Sequence, residues 1–229
     1  MKKIILITGG SEGLGKATAE LLSKENKVII LARSEENLQK VSQEINCEYK
    51  VCDVSKHEEV DKIIKEIIKD YKKIDVIINN AGVGIGGDLT DSSFEDISAA
   101  IDINVKGTIY MTKAVLPHMY KENSGLIINV GSKLGYEIDE YCSVYCASKW
   151  AITGFTKAFQ RDINKSNIRV TAIYPGLMDT EIFSKLGVNQ SMEKAISPEK
   201  VAEGIKFIVD ADEKVAITEF GIRDTHNFY

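Results

Sequence analysis

The chain is 229 residues long, 44% hydrophobic and 28% charged, with three prolines and a formal net charge of −5. That length suits one domain with a large buried core, and the near-average apolar and charged fractions exclude a disordered or fibrous chain. The mild acidic balance gives no electrostatic footprint for nucleic acid, and no apolar run approaches the roughly 18 residues of a membrane span. Ile4 to Ile7, after Met1-Lys2-Lys3, is too short for a secretory signal and runs straight into glycines. A cytoplasmic protein with neither nucleic acid nor membrane as partner is expected. Cys47, Cys52, Cys142 and Cys146 lack the spacing of a zinc knuckle or redox pair, so they read as reduced thiols, and no metal is assigned.

Apolar runs alternate with segments of helical period. Ile4–Thr8 reads as a buried strand, followed by glycines and a helix over about 15–24. Val28–Ala32 is a second strand, with a helix over 35–45 behind it, and 48–52 is a third. Val60, Ile63, Ile64, Ile67, Ile68 and Tyr71 keep the spacing of an amphipathic helix. Strands at 74–79 and 126–131 flank a long helical region. A helix over 144–163, a strand at 169–174, the helix 198–210 and a strand at 215–222 complete the pattern. Continuously apolar strands are buried on both faces, as in a parallel sheet covered by helices. The expected fold is therefore α/β: a doubly wound Rossmann sandwich with a seven-stranded, mainly parallel sheet and helices on both faces, spanning 1–229 as one domain. The irregular stretch 176–197, beyond strand six, lies at the rim where such sheets bind ligands and is a candidate lid.

Thr8-Gly9-Gly10-Ser11-Glu12-Gly13-Leu14-Gly15 joins the first strand to the first helix. Glycines here permit a tight turn and let a pyrophosphate approach the backbone, while the helix N-terminus offers free N–H groups and partial positive charge. The spacing is Gly-x-x-x-Gly-x-Gly. Asp53-Val54 follows strand three, Asn79-Asn80-Ala81-Gly82 ends strand four, and Asn104 stands in Asp102-Ile103-Asn104-Val105. Ser132 follows strand five, Tyr145 and Lys149 frame Tyr-x-x-x-Lys, and Pro175-Gly176 with Thr180 follows strand six.

In this order and spacing the chain resembles the short-chain dehydrogenase/reductases from about residue 3 to 210. The resemblance implies an NAD(P)-dependent oxidoreductase that reduces a small carbonyl, or oxidises the alcohol, by hydride transfer. It implies cofactor contacts from Gly9, Ser11, Glu12, Gly13, Leu14, Gly15, Asp53, Val54, Asn80, Ala81, Gly82, Tyr145, Lys149, Pro175, Gly176 and Thr180. It further implies that Tyr145 is the general acid/base, that Ser132 bonds the substrate oxygen, and that Asn104 positions a relay water toward Lys149. A homodimer or homotetramer is expected by the same analogy.

Residue chemistry adds to this. Arg33 and Ser34 end the second strand where a carboxylate would select NAD; a guanidinium and a hydroxyl suit a 2′-phosphate, so NADP(H) is favoured over NAD(H). Glu12 stands where many NADP-preferring relatives carry a basic residue, which leaves NAD open. Tyr145 and Lys149 share one helix face, and the ammonium should move the phenol toward its working range. Tyr136, Tyr141, Met178, Phe183 and Leu186 are candidates for the substrate pocket or for ordinary packing. His118 reads as a helix C-terminal cap partner, and His57 and His226 as exposed.

The ending, Val215 to Arg223, lacks the Asp-Gly-Gly segment of many acyl-carrier reductases and looks more like the branch acting on small ketones, diketones and hydroxy acids. Three other readings compete: a 3-oxoacyl-carrier reductase, a nucleotide-sugar enzyme, for which too little chain follows Pro175, and a non-catalytic cofactor sensor. A sensor commonly loses the tyrosine or lysine, and this chain keeps both.

Overall fold

A computed structural model describes residues 2–180 and 195–225. Among these residues seven strands form one sheet in the order β3-β2-β1-β4-β5-β6-β7, and every neighbouring pair is parallel. The strands are β1 Ile4–Thr8, β2 Lys27–Ala32, β3 Glu48–Val51, β4 Val76–Asn79, β5 Gly125–Val130, β6 Ile168–Pro175 and β7 Glu219–Ile222. The helices between them are α1 Gly13–Ser23, α2 Glu35–Ile45, α3 His57–Tyr71, α4 Phe94–Ala100, α5 Thr108–Glu122, α6 Ser143–Asp162 and α7 Pro198–Asp210. A wide π-helical stretch, Ile101–Gly107, joins α4 to α5.

The period-two alternation of strand side chains feeds two cores. Ile5, Ile7, Val28, Ile30, Val76, Ile78 and Ile128 pack on one face with apolar residues of α1, α2 and α7. Ile4, Leu6, Ile29, Leu31, Ile77 and Ile127 pack on the other against α3, α5 and Phe159 of α6. The central strands β1, β4 and β5 are buried at every position because both faces are covered, whereas the edge strands β3 and β7 carry Glu48, Lys50 and Glu219.

A buried polar chain sets the height of the helices on the second face. Asn79 Nδ2 donates to Thr112 Oγ1 (3.1 Å) and to Asn129 Oδ1 (2.9 Å), and Asn129 Nδ2 donates to Thr156 Oγ1 (2.9 Å). These bonds tie β4 and β5 to α5 and α6.

Two expectations need correction. The last strand begins at Glu219, not at 215. Asp212 starts a turn that takes the Val215 N–H (2.8 Å), and the Arg169 guanidinium bonds the carbonyls of Ala211, Asp212 and Val215. The Ile217 carbonyl is likewise taken by the Thr171 hydroxyl (2.6 Å), so side chains satisfy backbone that the sequence pattern assigned to the ladder. His118 is not a C-terminal cap. It is buried in α5 and its Nε2 accepts the Ile74 N–H at 3.2 Å, while α5 ends on Asn123 in the left-handed conformation. His57 is exposed as expected, whereas His226 lies outside the described residues.

Candidate active site

The β1–α1 turn shows why its residues are glycine. Gly9 has φ +64°, and a Cβ there would lie 2.9 Å from Ala81 Cα; a Cβ on Gly15 would lie 2.1 Å from the Gly9 carbonyl oxygen. The helix can approach the strand only without those atoms. Thr8 closes the turn from below: its hydroxyl oxygen accepts the N–H groups of Asn80 (3.0 Å) and Ala81 (2.9 Å). Asn80 Nδ2 returns bonds to the Thr8 and Gly9 carbonyls. Glu12 precedes α1 without a side-chain capping bond, and the first turn holds no acidic residue, so its N–H groups and partial positive charge stay available to an anion.

One cavity of about 810 Å³ runs along the carboxyl ends of the strands. Of the residues expected to hold a cofactor, Gly9, Ser11, Glu12, Gly13, Leu14, Arg33, Ser34, Asp53, Val54, Asn80, Ala81, Gly82, Tyr145, Lys149 and Thr180 line it. Gly15, Pro175 and Gly176 do not. Gly15 is a packing glycine, while Pro175 ends β6 and the Gly176 N–H bonds the Ile222 carbonyl (2.8 Å). Among the pocket candidates Met178 lines the cavity; Tyr136 packs against Tyr174, and Tyr141 adopts φ +57°. Phe183, Leu186 and most of the candidate lid lie outside the described residues.

At one end of the cavity Arg33 leaves β2 with its side chain exposed and makes no hydrogen bond or ion pair among the described residues. Ser34 caps α2, its Oγ accepting the Asn37 N–H (3.3 Å). Asn37 also lines the cavity. It was missed in the sequence, although its i+3 spacing from Ser34 on a capped helix was a usable signal. The Asp53 carboxyl is raised by burial, but bonds from Ser55 and the charge of Arg33 outweigh this and lower it overall.

At the other end stand Tyr145 and Lys149, only 5% and 6% exposed. Lys149 Nζ donates to the Val130 carbonyl (3.0 Å) and lies 5.6 Å from the centre of the Tyr145 ring. Burial pulls the ammonium down to about 8. Burial also pushes the Tyr145 phenol up to about 12, opposed by a hydrogen bond from Ser132. This corrects the expectation that Lys149 draws the phenol toward neutrality. Desolvation of the phenolate sets the direction of the shift, and Lys149 is itself buried and turned to a carbonyl. Tyr145 is therefore a phenol throughout the neutral range.

Asn104 sits in the π-helical stretch, a wide turn that often marks functional sites. Its Oδ1 accepts the Val83 N–H (2.8 Å), and its Nδ2 donates to the Val83 carbonyl (2.9 Å) and to Ser148 Oγ (3.0 Å). Ser148 in turn donates to the Tyr145 carbonyl (2.7 Å). The amide thus clamps the strand-four loop to α6 beside Lys149. A Cβ on Gly82 would lie 3.3 Å from Asn104 Oδ1 and 3.7 Å from Lys149 Nζ, which places both over that glycine. Ser148 was not singled out in the sequence, although it follows Tyr145 by three positions on the same helix.

Fold and cavity together define a Rossmann-type α/β protein with a buried tyrosine–lysine pair at the end of a glycine-floored crevice. The short chain dehydrogenase family model matches residues 3–191. An uncharacterized oxidoreductase of Staphylococcus aureus is 33% identical over 225 residues, 96% of each chain. A serine dehydrogenase in its closed form with NADP+ superimposes with a TM-score of 0.92 at 30% identity, covering 99% of this chain and 96% of that one. The serine dehydrogenase of Escherichia coli gives 0.88 at 31%, covering 99% and 100%. The chain belongs to the short-chain dehydrogenase family and is an oxidoreductase.

Proposed function

We propose that the protein is an NADPH-preferring reductase of a small ketone or other carbonyl, able to run in reverse as an alcohol dehydrogenase. The observation that carries this reading is one continuous cavity with Arg33 at one end and the buried Tyr145–Lys149 pair at the other. The residues present fit a dinucleotide: Gly9 and Gly13 leave the floor open, α1 offers its N-terminus, and the Thr180 hydroxyl lies buried in the lining without a hydrogen-bond partner among the described residues. NADPH, when bound, supplies the hydride.

The chain's own groups supply the rest. Tyr145, held as a phenol, donates its proton to the carbonyl oxygen, and Ser132 hydrogen-bonds the same oxygen. Lys149 places a positive charge beside the phenolate that results and holds the nicotinamide ribose, while Asn104 braces the loop and helix around them. Neighbours of high structural similarity include serine dehydrogenases, named for a small hydroxy compound, in keeping with a small substrate here.

The cofactor assignment is tested by calorimetric titration with NADPH and NADH. Arg33→Ala should weaken NADPH binding about 10- to 100-fold, the value of one or two charge-assisted bonds. Binding of NADH should stay nearly unchanged. An equal loss for both cofactors would remove the phosphate role of Arg33.

The direction of pH dependence follows from the two buried groups. Reduction needs the Tyr145 proton, which is present well above neutrality, and the Lys149 charge, which is lost as pH rises through about 8. With NADPH saturating, kcat for reduction should be level through neutral pH and decline above about 8. A rate that instead rises through this interval would show that Lys149 does not act as a cation.

A further inference from the structure

We propose that Arg223, just beyond β7, is a positioning residue for Ser132, latching the end of β7 onto the turn that carries this serine. The inference rests on the role proposed for Ser132 at the substrate oxygen.

The turn is continuous from Ser132 to Glu137. Ser132 Oγ accepts the Leu134 N–H (3.2 Å), the Ser132 carbonyl accepts the Gly135 N–H (2.8 Å), and the Lys133 carbonyl accepts the Glu137 N–H (2.9 Å). Its inner side has no slack. A Cβ on Gly135 would lie 2.7 Å from Thr153 Oγ1 and 3.0 Å from the Lys149 carbonyl, so the turn sits directly on α6.

Arg223 holds the far end. Its Nη1 pairs with Glu137 Oε1 at 2.8 Å, its Nη2 donates to the Tyr136 hydroxyl, and the guanidinium lies 5.5 Å from the centre of the Tyr136 ring. A planar fork can hold a carboxylate and a hydroxyl at once, which an ammonium on a flexible stem does less well. Around this contact the Tyr136 ring meets Tyr174 edge-on at 5.1 Å, and the Trp150 indole N–H bonds the Glu137 carbonyl (3.2 Å). Tyr174 is fixed through Glu219, which pairs with Lys157.

The latch also touches the exit from β6. A Cβ on Gly176 would lie 2.7 Å from Arg223 Cβ, so the chain leading to Met178 and Thr180 in the cavity wall passes against the same residue. The Arg223 side chain is 15% exposed, more shielded than a strand-end arginine that only solubilises a surface. The segment that follows β7 thereby fixes the serine turn and the strand-six exit relative to each other.

The test is a double-mutant cycle on the full chain, with NADPH and diacetyl as the probe pair, joined to hydrogen exchange. Arg223→Gln should lower kcat about tenfold or more, as small displacements of a reacting group do, and leave NADPH affinity unchanged. The glutamine keeps the Cβ that packs on Gly176, so in a Ser132→Ala background the same substitution should cost less than about twofold, because the lost guanidinium acts through the serine turn. Glu137→Ala removes the half-exposed acceptor with little risk to folding and should reproduce both results, while Arg223→Lys should recover part of the rate. Amide exchange from Leu134 to Glu137 should accelerate in Arg223→Gln without any substrate present. Unchanged exchange in that turn, an unchanged kcat, or an equal loss in both backgrounds would overturn the proposal. Failure of the site reading would look different: Ser132→Ala alone would leave turnover intact.

Discussion

Tyr145→Phe should lower kcat for carbonyl reduction about a hundred- to ten-thousand-fold, the usual contribution of a positioned proton donor. The phenylalanine keeps the ring that packs with Leu134, Cys142 and Cys146, so the fold around it should survive. The lost groups are the hydroxyl and its bond with Ser132. NADPH affinity should change little, since the cavity floor, the α1 N-terminus and Arg33 are untouched. Steady-state turnover beside a direct binding titration separates the two quantities. A variant that kept half its turnover would falsify the assignment of Tyr145 as proton donor, and the deep burial of the tyrosine would then be a packing feature.

Gly15→Ala is the second large effect, and helix propensity alone gives the wrong sign for it. Alanine within a helix is ordinarily better than glycine by about 1 kcal/mol. At Gly15 the new Cβ would lie 2.1 Å from the Gly9 carbonyl oxygen and 2.7 Å from Asn80 Nδ2. The turn must open to admit it. The expected cost is about 2–3 kcal/mol of overpacking, or roughly 5–10 °C in Tm for a chain of this size. NADPH binding should weaken as well, because the displaced atoms form the cavity floor. Gly154→Ala serves as the matched control. It lies in α6 with nothing within 4 Å of an added Cβ, so it should stabilise the chain slightly. If both substitutions raised Tm alike, the close approach at Gly15 would carry no energetic weight.

The sheet and its flanking helices were legible because their signal is local and periodic. Ile4–Thr8 and the helices 35–45 and 198–210 end where the pattern of apolar residues ends. The boundary that failed, at 215–218, failed for a non-local reason. Arg169 and Thr171, on a neighbouring strand, take carbonyls that a ladder would otherwise use. His118 was misread in the same way, since its partner Ile74 lies 44 positions away and no spacing along α5 reveals it.

The site divides similarly. The glycine turn, Asn80 to Gly82, and the Tyr145–Lys149 pair could be read because their chemistry depends on residue type at fixed short spacing, and the cavity gathers them. The state of the pair could not be read. Sequence places an ammonium near a phenol and predicts that charge governs; burial from every side decides instead, holding the phenol protonated and weakening the lysine's hold on its proton. The contributions of Asn37, Ser148 and Arg223 also come from contacts between segments far apart in the chain or from a cap that only the folded helix completes. The sequence by itself determined the parallel α/β sandwich, the glycine turn between the first strand and the first helix, and the placing of Tyr145 and Lys149 on one helix face, because those follow from local periodicity and spacing. Tertiary structure alone decided how deeply Tyr145 and Lys149 are buried, which backbone groups leave the ladder, and that Arg223, beyond β7, bonds Glu137 and Tyr136 in the turn that begins at Ser132. Each of these depends on the protein matter that surrounds a group, which adjacency along the chain does not encode.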